Sequence, residues 1–127
     1  MVNERGIRII MKIIVAGGRN FKDFGKMKAM LDHLFVTLDK RDIEIVSGTA
    51  EGADQLGEWY AKENNMPVKR FPANWAEFGD KAGAKRNKEM AQYADACICF
   101  WDGSSHGTRN MIDIAKAYKL DVRVIRY

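Results

Sequence analysis

Hydrophobic positions along the chain change their period several times. Short runs rich in apolar and β-branched residues, at 12–16, 43–46, 68–71, 96–101 and 122–125, alternate with stretches in which apolar residues recur every three to four positions. Several of the runs are almost continuously apolar, as parallel strands buried on both faces are. Between the first two runs, Met27, Met30, Leu31, Leu34, Phe35 and Leu38 fall on one helical face, and Met111, Ile114, Ala115 and Tyr118 repeat that spacing. Residues 53–64 and 82–94 supply two further helices with a looser pattern. Met66-Pro67 marks a return to strand, because the residue before a proline is driven out of the helical region. The order β-α-β-α-β-α-β-α-β predicts an α/β fold: a mainly parallel five-stranded sheet with helices on both faces, a Rossmann-like three-layer sandwich. Sheets of this kind bind ligands beyond the carboxyl ends of their strands, so the loops after each strand are the places to look. Residues 1–10 stand apart. Met11-Lys12-Ile13-Ile14 reads as a natural start, and Ile7-Arg8-Ile9-Ile10 is expected to lengthen the first strand without a function of its own.

Size and composition narrow this picture. A chain of 127 residues that is 46% hydrophobic is expected to form one domain spanning residues 1–127. No apolar run approaches the roughly 20 residues that span a bilayer. The opening Met-Val-Asn-Glu-Arg-Gly lacks the apolar region of a signal peptide. A cytoplasmic protein with no membrane contact is therefore expected. The formal charge of +4 comes from 21 basic and 17 acidic residues mixed along the chain, which favours anionic ligands but supplies no basic nucleic-acid-binding tail. Cys97 and Cys99 lie on one face of a strand, a spacing suited to neither an ordinary disulfide nor a zinc site, and are read as small buried hydrophobes. His33 has no partner at metal-ligand spacing, so no metal or cofactor is expected.

The candidate chemistry sits in the loops. After the first strand, Gly17-Gly18 permits a tight turn and close backbone approach, and Arg19 adds a permanent charge, a combination suited to a phosphate. The second strand runs into Ser47-Gly48-Thr49-Ala50-Glu51-Gly52-Ala53-Asp54, small residues leading to a helix start whose free N–H groups suit an anion. Asp54 there suits a ribose hydroxyl, or serves as an acidic residue favoured by the helix dipole. The fourth strand opens into Asp102-Gly103-Ser104-Ser105-His106-Gly107-Thr108, again glycine and hydroxyl residues before a helix, without the lysine of a Walker loop. His106 is expected to be solvated, with an acid or base role as the alternative. The stretch from Pro72 to Asn87 is longer than a strand-to-helix connection needs and reads as a ligand wall or lid. Its Trp75 and Phe78 are expected to cap the core, with stacking on a base as the alternative. Arg86 and Asn87 open a helix facing the same rim and are expected to meet the ligand.

As a set, Gly17-Gly18-Arg19, the segment 47–54, Trp75 with Gly79 and Ala82-Gly83, Arg86-Asn87 with Met90, and the segment 104–108 resemble the SLOG superfamily, most closely its YspA-type members, over residues 11–127. That resemblance implies a Rossmann-like fold and a nucleotide-type ligand. Two related families point in different directions. The LONELY GUY phosphoribohydrolases, which cleave a base from a nucleotide 5′-monophosphate, carry an arginine-bearing helix followed by Pro-Gly-Gly-x-Gly-Thr-x-x-Glu, similar to Arg86 and residues 103–108. Where they keep a catalytic glutamate, this chain has Met111, and a thioether neither stabilises an oxocarbenium-like centre nor activates water. Cleavage would need Asp102, Asp54 or Glu51 as a substitute. The DNA-processing protein A family, which binds single-stranded DNA, carries Ser-Gly-x-Ala-x-Gly-Ile-Asp, similar to residues 47–54 with Ala53 in place of the isoleucine. Arg19, Lys85, Arg86 and Trp75 would then form a basic, stacking groove, opposed by Glu58 and Glu63.

The expected function is binding or sensing of a nucleotide or nucleotide-sugar phosphate. Gly17, Gly18, Arg19, Ser47, Gly48, Gly52, Ser104, Gly107 and Thr108 would form the phosphate cradle, with Arg86 neutralising charge, Asn87 beside it, and Asp54 and Asp102 on ribose or base. Hydrolysis of an N-glycosidic bond with Asp102 or Asp54 as carboxylate is the first alternative, and single-stranded DNA binding the second. SLOG relatives are often dimers, so a homodimer is a possible assembly.

Overall fold

The computed structural model describes residues 2–127. Five strands, β1 (Met11–Gly17), β2 (Ile43–Ser47), β3 (Val68–Arg70), β4 (Ala96–Trp101) and β5 (Asp121–Arg126), form one sheet in the order β3-β2-β1-β4-β5. Every pairing is parallel. The helices are α1 (Phe24–Leu34), α2 (Ala53–Glu63), the single-turn α3 (Trp75–Phe78), α4 (Ala82–Tyr93) and α5 (His106–Ala117). The architecture is the three-layer Rossmann-like α/β sandwich.

Strand alternation divides the core in two. Ile13 and Val15 of β1 point into one layer with Met27 and Leu31 of α1 and Tyr60 and Ala61 of α2. Ile14 and Ala16 point the other way, toward Met90 and Ala91 of α4 and Met111, Ile112 and Ala115 of α5. Each strand residue flips face relative to its neighbour, so one apolar run serves both layers. Cys97 and Cys99 lie on the second face, buried and unbridged, with their sulfurs 3.5 Å apart.

Chain order and sheet order together place a crevice at one edge of the sheet's central strand. From β1 the chain moves outward through β2 and β3, then returns to the other side of β1 for β4 and β5. The loops after β1 and β4 therefore leave in opposite directions, and the crevice between them is a topological switch point, where doubly wound sheets bind ligands.

The first ten residues depart from expectation. Ile7, Ile9 and Ile10 do not extend β1 but are exposed. Val2 forms an antiparallel bridge with Arg8, whose guanidinium reaches the Asp42 carboxylate in the turn before β2. The physical reason is register. Met11 pairs with Ile43, the first residue of β2, so no neighbouring backbone remains to pair with anything earlier.

Candidate functional site

A cleft of about 520 Å³ occupies the switch point. Its floor is the end of β1, from Ala16 to Asn20. One wall carries Asp54 with Arg86 and Asn87 of α4, and the other carries Asp102 and the first turn of α5. Gly17, Gly18, Arg19, Asp54, Arg86, Asn87, Asp102, Gly107 and Thr108 thus come together from four separate stretches of sequence. Ser47, Gly48, Gly52 and Ser104 do not line it.

The glycines explain much of this division. A Cβ on Gly18 would fall 1.9 Å from the Tyr127 hydroxyl, and one on Gly17 would fall 2.3 Å from the Phe100 carbonyl oxygen. One on Gly48 would collide with both the Asp54 carboxylate and the Arg86 guanidinium. These residues are small so that the protein can pack against its own loops. Gly107 differs, because nothing lies within 4 Å of where its side chain would be. It leaves bare backbone facing the cleft.

That backbone has donors to spare. Ser105 caps α5 without a side-chain hydrogen bond to the helix, and the first intrahelical bond runs from Arg109 N–H to the Ser105 carbonyl. Asp102 is already used, since its carboxylate accepts from the N–H groups of Ser104 and Ser105, each at 2.8 Å, which also hold its pKa below the usual value. The N–H groups of His106, Gly107 and Thr108 therefore stand at the positive end of the helix dipole, the arrangement that receives anions.

On the opposite wall, Arg86 is held in place before any ligand arrives. Its guanidinium donates to the Gly48 carbonyl and, at 3.0 Å, to the Asn87 side chain. Asn87 in turn donates to Asn110 of α5 at 2.9 Å, tying the two walls together. Burial and the like charge of Arg19 both push the Arg86 pKa down, while Asp54 opposes them. Arg19 itself has no hydrogen bond or ion pair among the described residues. Asp54 is buried, and burial raises its pKa from 3.8 to about 6 against the opposing pull of the Ala50 N–H and Arg86.

The raised Asp54 pKa has a thermodynamic sign. The folded state holds the proton more tightly than the unfolded chain, so the stability that Asp54 contributes is complete below about pH 4 and is lost as pH rises through about 6. The loss is on the order of 2–3 kcal/mol. Urea unfolding of the native protein and of Asp54→Asn between pH 4 and 7 should give curves whose separation changes by that amount. A constant separation would show that Asp54 titrates as an ordinary carboxylate.

Ser47 supports the site from behind. Wholly buried, it donates to Glu58 at 2.6 Å and accepts from Thr49 N–H at 3.0 Å, and Glu58 also takes Arg70 at 2.8 Å. Gly52 turns the chain into α2 with φ +81°, beside the Gly18 carbonyl. Trp75 and Phe78 do not cap the core. Trp75 is 50% exposed and walls the cleft, with its indole over Gly83, while Phe78 lies outside beneath the Lys85 ammonium. The segment between β3 and α4 that carries them folds as the single turn α3, which buries none of its residues. Two cleft residues lie outside the segments that the sequence singles out, Asn110 and Tyr127. Asn110 was legible in principle, as the polar position one turn beyond Gly107. Tyr127 was not, because its place depends on β5 lying beside β4 and on its ring packing edge-on against Phe21. No group of three or more metal-ligating side chains is present among the described residues, and none of their helices is long and apolar enough to cross a membrane.

Fold and cleft together define a doubly wound α/β domain of Rossmann type with a cleft at its topological switch point. The profile of the YspA, cpYpsA-related SLOG family matches residues 11–78, more than half of the chain, and the chain belongs to that family. No curated protein sequence matches it significantly. Among solved structures it is similar to DNA processing protein A from Streptococcus pneumoniae, with a TM-score of 0.70 and 17% identity, covering 91% of this chain and 50% of that one. It is also similar to DNA processing protein A from Helicobacter pylori, reported for its single-stranded DNA binding mode, with a TM-score of 0.66 and 16% identity over 97% of this chain and 68% of that one. The chain thus spans half the length of the first of these, and at such identities the likeness is one of fold.

Proposed function

We propose that the cleft binds a nucleotide-type ligand by its phosphate. The observation that carries this reading is the convergence of two guanidiniums, Arg19 and Arg86, with the unoccupied N–H groups at the start of α5, around one concave space of nucleotide size. Asp54 and Asp102 supply acceptors for ribose or base hydrogen-bond donors on the same walls. Membership of the SLOG family supports a nucleotide-related role.

Nucleoside 5′-monophosphates should therefore stabilise the protein where the parent nucleosides do not. At a ligand concentration about 100 times Kd the gain is about 2.7 kcal/mol. For a domain of this size that is a rise in melting temperature on the order of 5–10 °C. A panel of monophosphates at millimolar concentration that leaves the melting temperature unmoved would remove the basis of the reading.

Single-stranded DNA is the second reading, favoured by the DNA-processing proteins among the fold neighbours and by the exposed Trp75 on the cleft wall. It predicts affinity that grows with oligonucleotide length and falls steeply with salt, whereas a mononucleotide site saturates at one unit. Glycosidic hydrolysis has one observation in its favour, the buried Asp54 carboxyl on the cleft wall with its pKa near 6. Met111 is buried in the core and puts no side chain into the cleft. Free base released from a nucleotide, and its loss in Asp54→Asn, would mark the enzyme.

A further inference from the structure

Arg86, Asn87 and Asn110 form a chain of side-chain hydrogen bonds that can run in one direction only. A guanidinium donates and never accepts. The Arg86 Nε–H therefore meets the Asn87 Oδ1, at 3.0 Å, which leaves the Asn87 Nδ2 on the far side to donate to Asn110 at 2.9 Å. The atom that receives this bond must be the Asn110 Oδ1, so the Asn110 amide nitrogen points away from the chain. An isolated carboxamide turns over with little change of shape, because its oxygen and nitrogen ends are nearly alike in size. Here Arg86 fixes the direction of an amide two side chains away.

The outward nitrogen faces the cleft. Asn110 lines that space, and its Nδ2 makes no hydrogen bond among the described residues. No buried polar side-chain atom among those residues lacks a partner, so this nitrogen is open to the cleft. Asn110 lies one turn beyond Gly107 on α5, and helical side chains lean back toward the helix start. Its amide N–H groups thus join the backbone N–H groups of His106, Gly107 and Thr108 on one wall. Asn87 differs. It is 6% exposed, and both ends of its amide are engaged by protein.

We infer that Asn110 is a phosphate-contact residue whose amide is held donor-outward by Asn87, and that Asn87 is a positioning residue and not a ligand contact. This rests on the phosphate-binding reading of the cleft and adds a neutral donor to it. Turning the Asn110 amide over would set its N–H groups against those of Asn87, each left without an acceptor. The wall therefore presents donors only, which suit an anionic oxygen and reject an ammonium.

Calorimetric titration of the full chain with AMP, GMP, CMP and UMP supplies the test, with the tightest binder carried through two variants and their combination. Asn110→Ala should weaken binding about 10-fold to 100-fold, the loss of a hydrogen bond to a charged group. Asn87→Asp should weaken it as well, although that side chain touches no ligand. A carboxylate at position 87 still accepts from Arg86 but cannot donate, so the Asn110 amide turns over and sets its oxygen against the phosphate. Asn110→Ala should then change sign: made in the Asn87→Asp background, it removes that oxygen and should raise affinity about threefold or more. A double variant that binds no more tightly than Asn87→Asp alone overturns the inference, as does an Asn110→Ala protein within about threefold of native. Either result leaves the phosphate site standing on Arg19, Arg86 and the start of α5. Failure of all four monophosphates to bind the native protein overturns both readings. Circular dichroism checks the fold of each variant. If Asn87→Asp does not fold, Asn110→Asp takes its place, because it still accepts from Asn87 while turning an oxygen to the cleft. It should bind more weakly than Asn110→Ala, and equal or tighter binding overturns the inference.

Discussion

Gly52→Ala is expected to lower the melting temperature by roughly 10–20 °C, through a loss of about 3–5 kcal/mol. Two independent effects add. Gly52 has φ +81°, a region that costs a residue with a side chain about 1–3 kcal/mol. Its added methyl would also stand 2.3 Å from the Gly18 carbonyl oxygen and 2.6 Å from the Arg19 carbonyl group, and overpacking of this kind costs a further 1–3 kcal/mol or so. Those neighbours are backbone and cannot swing aside. The Gly18 carbonyl accepts from both Phe21 and Ala53, each at 3.2 Å, and the Gly18 N–H donates to the Phe100 carbonyl at 3.0 Å. Moving it would break the joint between β1, β4 and the start of α2. Gly107→Ala is the matched control, because its methyl meets nothing within 4 Å and the residue is helical. That variant should melt at or slightly above the native temperature while weakening ligand binding, since the methyl enters the cleft. Thermal unfolding followed by circular dichroism decides the matter; a Gly52→Ala protein melting within about 3 °C of native would mean that the loop relaxes freely.

Arg86→Ala should weaken binding of a nucleoside 5′-phosphate by roughly 30-fold to 1,000-fold, the range for truncating one member of a buried charged hydrogen-bonded contact. The size of the effect follows from preorganisation. With its side chain already anchored on Gly48 and Asn87, Arg86 needs no ordering when the anion arrives, so little of its interaction is lost to entropy. Arg86→Lys should recover little, because an ammonium lacks the planar fork that reaches both acceptors while facing the ligand. The alanine variant also removes the cation opposing the burial of Asp54, which raises that carboxyl further and lowers stability at neutral pH. Calorimetry on the folded variant gives the answer. A dissociation constant within about twofold of native would take Arg86 out of the binding site.

Both predictions concern loops whose chemistry was legible along the chain and whose geometry was not. Gly17-Gly18-Arg19 and the segment 47–54 stood out as phosphate-like because glycines follow a strand and precede a helix. In the fold most of those glycines receive protein atoms: Tyr127 over Gly18, the Gly18 carbonyl beside Gly52, and the Asp54 and Arg86 side chains around Gly48. Local sequence cannot separate a glycine that admits a ligand from one that admits a distant loop, because both require the same missing Cβ. Trp75 and Phe78 show the opposite limit. Their size suggested burial, but the segment between β3 and α4 folds as a turn of its own that buries none of its residues.

By itself, the sequence determined the five strands, the helices between them, the two-faced burial of β1 and the rim on which chemistry would gather. Those features follow from periodicity and from the handedness of parallel crossovers, both local in origin. Tertiary structure alone decided that β4 returns to the far side of β1, which opens the cleft, and that Arg86 and the start of α5 face each other across it. These relations join residues far apart in the chain. They are set by which strand edges pair and which side chains fill the gaps left by glycine, and no window of sequence contains both partners.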